Sequence, residues 1–287
     1  MHPIDGGLAT QLEARGHDLS DALWSARVLA DQPDEVRAVH SAYADAGARV
    51  LISASYQVSR EGFVADGRSA AAADDALRVS VGLAREAGAA RGALVAASVG
   101  PYGAIRHDGS EYRGNYGVSR ERLVDFHAER LAVLIDAGPD ALAIETIPDV
   151  DEVGALVEAL AAYPDVPAWL SLSCRDAATT CAGQPVEEAA QIAAESPSIL
   201  AIGINCTAPE HVGPLLSRLS AASDLALVAY PNSGRAWDPA TGWSGEGRET
   251  GDDLVRSWAA IDGVRLIGGC CGVGPESIAR ISATLSA

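Results

Sequence analysis

Short apolar runs alternate with longer segments of helical periodicity along the whole chain, and this alternation limits the fold more than any other feature. Short apolar runs followed by helices are typical of buried parallel strands joined by crossover connections. We predict strands at residues 2–5, 49–54, 93–99, 141–145, 168–173, 199–205, 225–230 and 264–268. Eight such units in 287 residues approach the roughly 250 residues of one barrel. The sequence therefore predicts an α/β fold, a single (β/α)8 TIM barrel forming one domain over residues 1–287.

A doubly wound parallel sheet is the alternative to the barrel. That fold usually has a Gly-x-Gly-x-x-Gly loop after its first strand, and this chain has no such loop there. No linker, low-complexity tract or change of composition divides the chain, which favours one domain. At the starts of two predicted helices, Asp149 with Glu152 and Thr250 with Asp253 have the spacing of helix-capping pairs.

The ends of the predicted strands carry most of the residues that could perform chemistry. In a barrel of this kind, the active site lies where the strands end and the following loops begin. These positions hold Asp5-Gly6-Gly7, Ser53 to Gln57, Gly100 to Gly103, Glu145-Thr146, Asn205-Cys206, Tyr230 to Gly234 and Gly268 to Gly272. Two of the following loops, over residues 101–117 and 231–250, are long enough to be expected to function in binding or catalysis.

Three of the five cysteines follow predicted strands: Cys206, Cys270 and Cys271. Adjacent side chains on a regular strand point to opposite faces, but the glycines around Cys270 and Cys271 allow the backbone to turn. Three converging thiols would form a metal site with one open position, as in catalytic zinc sites, and thiolates prefer zinc to harder cations. Buried apolar cysteines, or a disulfide between the adjacent pair, remain the alternatives. We interpret Cys174 and Cys181 as non-ligands.

Carboxylates and aromatic side chains share the same predicted rim. Asp5 and Glu145 end separate strands, and they could bind an ammonium group, act as an acid–base pair, or serve a structural role. Aromatic faces attract sulfonium and quaternary ammonium cations, although ordinary packing is the alternative for each ring. The aromatic residues in or near these loops are Trp24, Tyr56, Tyr102, Trp237 and Trp243.

Composition excludes several functions. The net charge of −18 argues against nucleic acid or an anionic membrane surface as partner. All 21 basic residues are arginine, which excludes mechanisms that need a lysine Schiff base. Five cysteines without a leader segment predict a reducing, cytoplasmic location rather than a disulfide framework. No apolar run approaches the ~18 residues of a membrane span. No oligomeric state is predicted.

Motifs along the whole chain resemble those of the zinc-dependent homocysteine S-methyltransferases, most closely the bacterial S-methylmethionine:homocysteine methyltransferases. The set is specific because its members occur in order over nearly the full length. The motifs are Asp5-Gly6-Gly7-Leu8-Ala9-Thr10-Gln11-Leu12-Glu13, Leu23-Trp24-Ser25-Ala26, Ser53-Ala54-Ser55-Tyr56-Gln57, Ser98-Val99-Gly100-Pro101-Tyr102-Gly103-Ala104, Gly109-Ser110-Glu111-Tyr112-Arg113-Gly114, Glu145-Thr146-Ile147-Pro148, Gly203-Ile204-Asn205-Cys206, Tyr230-Pro231-Asn232-Ser233-Gly234 and Gly268-Gly269-Cys270-Cys271.

The resemblance implies a barrel in which Cys206, Cys270 and Cys271 hold Zn2+ and carry the catalysis. It implies that homocysteine sulfur takes the fourth zinc position, with its amino group near Asp5 and Glu145. The other residues expected to bind substrate are Trp24, Ser25, Ser55, Tyr56 and Asn205. The implied partners are homocysteine and a sulfonium methyl donor, S-methylmethionine, with S-adenosylmethionine as a second candidate.

Two positions depart from the family pattern. Arg235 stands where relatives usually have an acidic residue, and Gly272 stands where they usually have arginine. Two alternatives therefore remain open from the sequence. The same barrel could use another donor such as betaine, or the chain could be a non-enzymatic zinc- or thiol-binding protein.

Overall fold

The computed structural model describes residues 1–106, 108–234 and 250–287, together with the backbone of Ala236–Asp238 and Gly242–Ser244. Ten strands are present in this part of the chain. They are β1 (His2–Pro3), β2 (Val50–Ile52), β3 (Leu94–Val99), β4 (Ala141–Ile147), β5 (Ala168–Leu172), β6 (Ile199–Asn205), β7 (Ala226–Tyr230), β8 (Ala236–Asp238), β9 (Gly242–Ser244) and β10 (Val264–Ile267). Each of the eight predicted runs coincides with one strand of the main sheet, although β4 extends two residues beyond the predicted end at 145. The antiparallel hairpin β8–β9 was not predicted.

Eleven α-helices are described. They are α1 (Leu8–Ala14), α2 (Ser25–Asp31), α3 (Pro33–Asp45), α4 (Arg60–Ala65), α5 (Ala70–Gly88), α6 (Arg120–Asp136), α7 (Val150–Leu160), α8 (Val186–Ala193), α9 (Pro209–Ala222), α10 (Asp252–Ala259) and α11 (Pro275–Ser286). Short 3-10 turns at Tyr102–Ile105 and Ser110–Tyr112 lie in the loop after β3. Among the described helices, none is both long and apolar enough to cross a membrane.

The main sheet is a closed parallel barrel, which confirms the predicted fold. Its strands run in the order β1-β10-β7-β6-β5-β4-β3-β2. The two ends of this order meet, because Ile4 forms a parallel bridge with Val50 and the Asp5 N–H donates to the Val50 carbonyl at 3.1 Å. Closure brings the carboxyl ends of all eight strands to one rim, where the predicted functional residues lie.

Two apolar layers hold the barrel together. Inside, small alanines alternate with the large side chains of Trp169 and Tyr230, whose indole N–H and hydroxyl form a 3.0 Å hydrogen bond. Outside the sheet, a larger cluster fills the space between the strands and the helices. Burying this apolar surface drives the collapse, and the interior hydrogen bond satisfies the polar atoms that Trp169 and Tyr230 bring into it.

The two predicted capping pairs have different outcomes. The Asp149 side chain accepts from the Asp151 N–H and caps α7, whereas Glu152 points to the loop after β3 and contacts that loop instead. The prediction for Thr250 was wrong, since α10 begins after Gly251 without a side-chain cap.

Two glycine-to-alanine substitutions test the packing of the barrel. A Cβ on Gly203 in β6 would overlap the carbonyl oxygen of Val228 in the neighbouring strand, whereas one on the exposed Gly82 in α5 would meet no atom within 4 Å. We expect Gly203→Ala to lower the free energy of unfolding by about 2 kcal/mol. Gly82→Ala should raise it by up to about 1 kcal/mol, because alanine favours the helix. Chemical denaturation of both variants checks this, and equal stabilities would contradict the packing described here.

Candidate metal and substrate site

Three cysteine thiols converge at the carboxyl rim of the barrel. Cys206 follows β6, and Cys270 and Cys271 follow β10; these strands flank β7 in the sheet. The three Sγ atoms all lie within 4.8 Å of one another, and those of Cys206 and Cys271 are 3.7 Å apart. Cys206 and Cys270 are joined as a disulfide in this structure. Cys174 and Cys181 are free thiols outside this cluster.

The backbone after β10 makes the turn that the flanking glycines had suggested. The Cys270 N–H donates to the Pro231 carbonyl at 2.7 Å, and the Cys271 carbonyl accepts from the Ser233 N–H at 2.8 Å. Gly272 has a φ of +79°, a conformation that favours glycine. The departure from the family pattern at position 272 therefore meets a local backbone requirement.

One separation within the cluster, between Cys206 and Cys271, fits a soft metal ion. Two sulfurs bound at ~2.3 Å to a tetrahedral ion lie about 3.8 Å apart, close to the Cys206–Cys271 separation. Burial raises the pKa of the Cys271 thiol to about 12, so a cation is needed if this thiol is to ionise near neutral pH. Metal binding by all three residues also requires reduction of the Cys206–Cys270 disulfide, because the ligand is the thiolate.

Backbone strain is concentrated around this cluster. Four non-glycine residues in the described part of the chain have positive φ, and three of them lie here: Trp24 at +49°, Thr146 at +62° and Cys206 at +44°. Such conformations each cost on the order of 1 kcal/mol or more and persist where surrounding contacts enforce them. For Thr146 the enforcing contact is Asn205, whose side-chain amide bonds both the Thr146 N–H and its hydroxyl, at 2.7 and 2.8 Å.

Asp5 and Glu145 lie on the same cavity wall as the thiols. An Asp5 oxygen accepts from the Ile52 N–H at 2.8 Å, and a Glu145 oxygen accepts from the Ser98 hydroxyl. Burial raises the pKa of Glu145 to about 7. It also raises the pKa of Asp5, and the nearby negative charge of Glu145 adds to this effect. Among the described residues that line the cavity, no arginine lies beside these two buried carboxylates, so they form a suitable site for an ammonium group.

The other predicted substrate residues divide into two groups. Trp24, Ser25 and Tyr56 line the cavity, and the rings of Trp24 and Tyr56 meet edge to face with centroids 6.3 Å apart. Ser55 and Asn205 are fully buried behind the cavity wall. The Ser55 hydroxyl donates to the Ser98 carbonyl at 2.7 Å, so this residue joins the ends of β2 and β3.

One cavity of about 600 Å³ contains the thiols and both carboxylates. This volume is within the range of small-molecule sites and leaves room for two amino-acid substrates together. Its described lining carries five carboxylates, a single histidine, His17, and no arginine. The carboxylates are Asp5, Glu13, Asp18, Glu111 and Glu145. The cavity is therefore suited to cationic ligands.

Sequence reasoning missed several residues that shape this cavity. Tyr112 places its hydroxyl 3.7 Å from the Cys206 Sγ, and Thr146 lines the cavity beside Glu145. Arg130, buried on α6, donates to the carbonyls of Gly100 and Tyr56, both at 2.8 Å. Tyr112 and Thr146 stand in motifs that had been recognised, whereas Arg130 gives no local signal because its partners are backbone atoms far away in sequence.

The closed barrel and its thiol-lined cavity place this chain among (β/α)8-barrel enzymes with a cysteine-based centre. The model of the homocysteine S-methyltransferase family matches residues 4–285. Homocysteine S-methyltransferase YbgG of Bacillus subtilis (strain 168) is 42% identical over 293 residues, which cover 98% of this chain and 93% of that protein. The homocysteine S-methyltransferase of Escherichia coli (strain K12) is 44% identical over 291 residues, covering 98% and 94%.

A solved structure agrees with this relationship. The crystal structure of the homocysteine methyltransferase MmuM from Escherichia coli, in its metallated form, superposes with a TM-score of 0.88 at 43% identity, covering 99% of this chain and 96% of that one. The chain belongs to the homocysteine S-methyltransferase family. Arg235 and the side chains of Trp237 and Trp243, which the sequence had singled out, lie outside the described residues.

The raised pKa of Glu145 predicts a pH-dependent cost to stability. The folded protein holds this proton more tightly than the unfolded chain, so stability falls as pH rises from about 4.5 to 7. A shift of that size corresponds to roughly 3 kcal/mol above pH 7. We expect the melting temperature of Glu145→Gln, relative to wild type, to be higher at pH 8 than at pH 5. Calorimetry of the reduced, metal-free proteins checks this, with the exposed Glu121→Gln as control; the opposite trend would show that Glu145 is not destabilised by burial.

Proposed function

We propose that this enzyme transfers a methyl group from S-methylmethionine to the sulfur of L-homocysteine, with Zn2+ held by Cys206, Cys270 and Cys271. The observation that supports this most strongly is the cluster of three thiols opening into an acidic cavity, in a chain of the homocysteine S-methyltransferase family. When bound, zinc would lower the pKa of a thiol at its open position and so favour the thiolate. A reducing compartment such as the cytoplasm would keep the three cysteines available as ligands.

The transfer needs no acid from the protein. The homocysteine thiol first loses its proton to solvent. A lone pair on the thiolate then forms the new S–CH3 bond while the bond between that methyl and the sulfonium sulfur breaks. The bonding electrons stay on the donor sulfur, which leaves as a neutral thioether. Both products are methionine, and the rate depends on activating the nucleophile and aligning the two sulfurs with the methyl group.

Each residue at the rim would have its own role in this reaction. Asp5 and Glu145 would bind the α-ammonium group of homocysteine, while Trp24, Ser25 and Tyr56 shape the space around its chain. Asn205 would position Thr146 and, 4.0 Å from the Cys270 Sγ, help to place that thiol. Ser55 would hold the ends of β2 and β3 in register for these contacts.

The charge of the cavity favours a sulfonium amino acid over betaine. S-methylmethionine carries two positive groups and one carboxylate, whereas betaine carries one of each. The described lining offers five carboxylates and no arginine for a substrate carboxylate. S-adenosylmethionine has the same charge pattern and remains the second candidate donor.

Substitution of the cysteines tests the metal centre. We expect Cys206→Ser, Cys270→Ser and Cys271→Ser each to lose bound zinc and at least about a hundredfold in kcat while the barrel stays folded, because each removes one of three ligands. Cys181→Ser is the matched control and should keep both metal and activity, since Cys181 lies outside the cluster. Metal analysis and methionine formation under reducing conditions give the readout. Full turnover by a metal-depleted variant would exclude the mechanism.

A donor panel tests the rest of the proposal. With homocysteine fixed and the zinc-loaded, reduced enzyme, S-methylmethionine should give the highest kcat/KM, and chelation should abolish it. Betaine turnover without S-methylmethionine turnover would replace the proposed donor. Homocysteine binding with no turnover for any donor would support a binding protein instead.

A further inference from the structure

Glu111 contributes to the cavity lining a carboxylate with one unpaired oxygen, at some distance along the chain from Asp5 and Glu145. Its Oε2 atom is buried and has no hydrogen-bond partner. A hydrogen bond from its own backbone N–H lowers the pKa of Glu111, so only this one oxygen is left unpaired. Buried carboxylate oxygens are normally paired, and leaving one unpaired is costly. Burial is the largest effect on the Glu111 carboxyl and raises its pKa to about 7.

The position of Glu111 is fixed by the loop that carries it. Glu152 on α7 accepts from the Tyr102 N–H at 2.6 Å and from the Tyr116 hydroxyl at 2.7 Å. Asp149 accepts from the Asn115 N–H at 2.7 Å. These contacts hold the loop on both sides of Glu111, so its carboxylate belongs to a preformed wall rather than to a freely moving surface side chain.

The surroundings of Glu111 connect it to the reacting centre. Its neighbour Tyr112 reaches the Cys206 Sγ at 3.7 Å. Burial raises the pKa of the Tyr56 hydroxyl. The negative charges of Glu111 and Glu145 raise this pKa further, so both carboxylates are close enough to affect the ionisation of Tyr56. Asp108, which raises the pKa of Glu111, and Arg113, which lowers it, are the nearby charges, and neither lines the cavity.

We propose that the Glu111 carboxylate binds the α-ammonium group of the sulfonium donor, making it a residue that determines donor specificity. This inference rests on the proposed function. Two amino acids must share the cavity, and each brings one ammonium group. Asp5 and Glu145 form a pair at the strand ends for the first. Of the other three carboxylates that line the cavity, Glu13 and Asp18 are exposed, whereas Glu111 on the separate loop has a buried, unpaired oxygen for the second. A sulfonium has no N–H to donate, whereas an ammonium has three, so the unpaired oxygen matches the ammonium.

The test is a comparison of KM values for the two substrates. Glu111→Gln keeps the shape of the side chain and removes its charge, so the KM for S-methylmethionine should rise about ten- to thirtyfold. The KM for homocysteine should stay within about twofold. Glu111→Asp keeps the charge and should recover part of the donor affinity, which loss of a merely structural contact would not explain.

Glu121→Gln is the control, because it removes an exposed carboxylate at the start of α6 that does not line the cavity. It should leave both KM values within about twofold. A rise in the homocysteine KM of Glu111→Gln, or no change in either KM, would overturn the inference while leaving the proposed reaction intact. Absence of methionine formation by the wild-type enzyme with S-methylmethionine would instead show that the proposed function has failed.

Discussion

Closure of the sheet through its first strand is the constraint on which the site depends. β1 pairs with β10 on one side, and Ile4 bridges to Val50 on the other. Asp5, which follows β1, therefore contacts both neighbours of that strand. Its carbonyl accepts from the Gly269 N–H after β10, and its side chain accepts from the Ile52 N–H in β2. Asp5 thus helps to close the barrel and also links the turn that carries Cys270 and Cys271 to the side of the cavity that carries the carboxylates.

The site concentrates features that oppose stability. Three of its residues have positive φ without being glycine, and two of its carboxylates have a pKa raised by burial to about 7. Residues that do not themselves line the cavity hold them in place: the Asn205 amide bonds Thr146, and the buried Arg130 bonds the carbonyls of two loops. Functional sites commonly have such locally unfavourable features, and their cost is offset by the rest of the fold.

Most of the barrel could be predicted from the sequence because most of its strands are short, largely apolar runs, which is the pattern expected of strands buried on both faces. The three thiols were also predictable, since cysteines beside glycines at the ends of barrel strands share one rim and can turn toward one ion. Contacts between side chains and distant backbone atoms could not be predicted. Glu152 has the spacing of a capping residue, yet it holds a loop that lies up to 50 residues earlier in the chain. Ser55 and Asn205 have the motif positions of substrate residues, yet both lie behind the cavity wall.

The electrostatics of the cavity explain why an acidic wall and a metal centre would be needed together. In the proposed reaction, the carboxylates would attract a sulfonium donor, but the same negative charges would raise the energy of a homocysteine thiolate beside them. A cation bound by the thiols would compensate the nucleophile locally without neutralising the more distant wall that binds the donor. Methyl transfer then removes both the thiolate charge and the sulfonium charge. With S-methylmethionine as the proposed donor, each methionine formed would be a neutral zwitterion that the acidic wall attracts less than it attracts the donor, so the charge that favours donor binding would also favour product release.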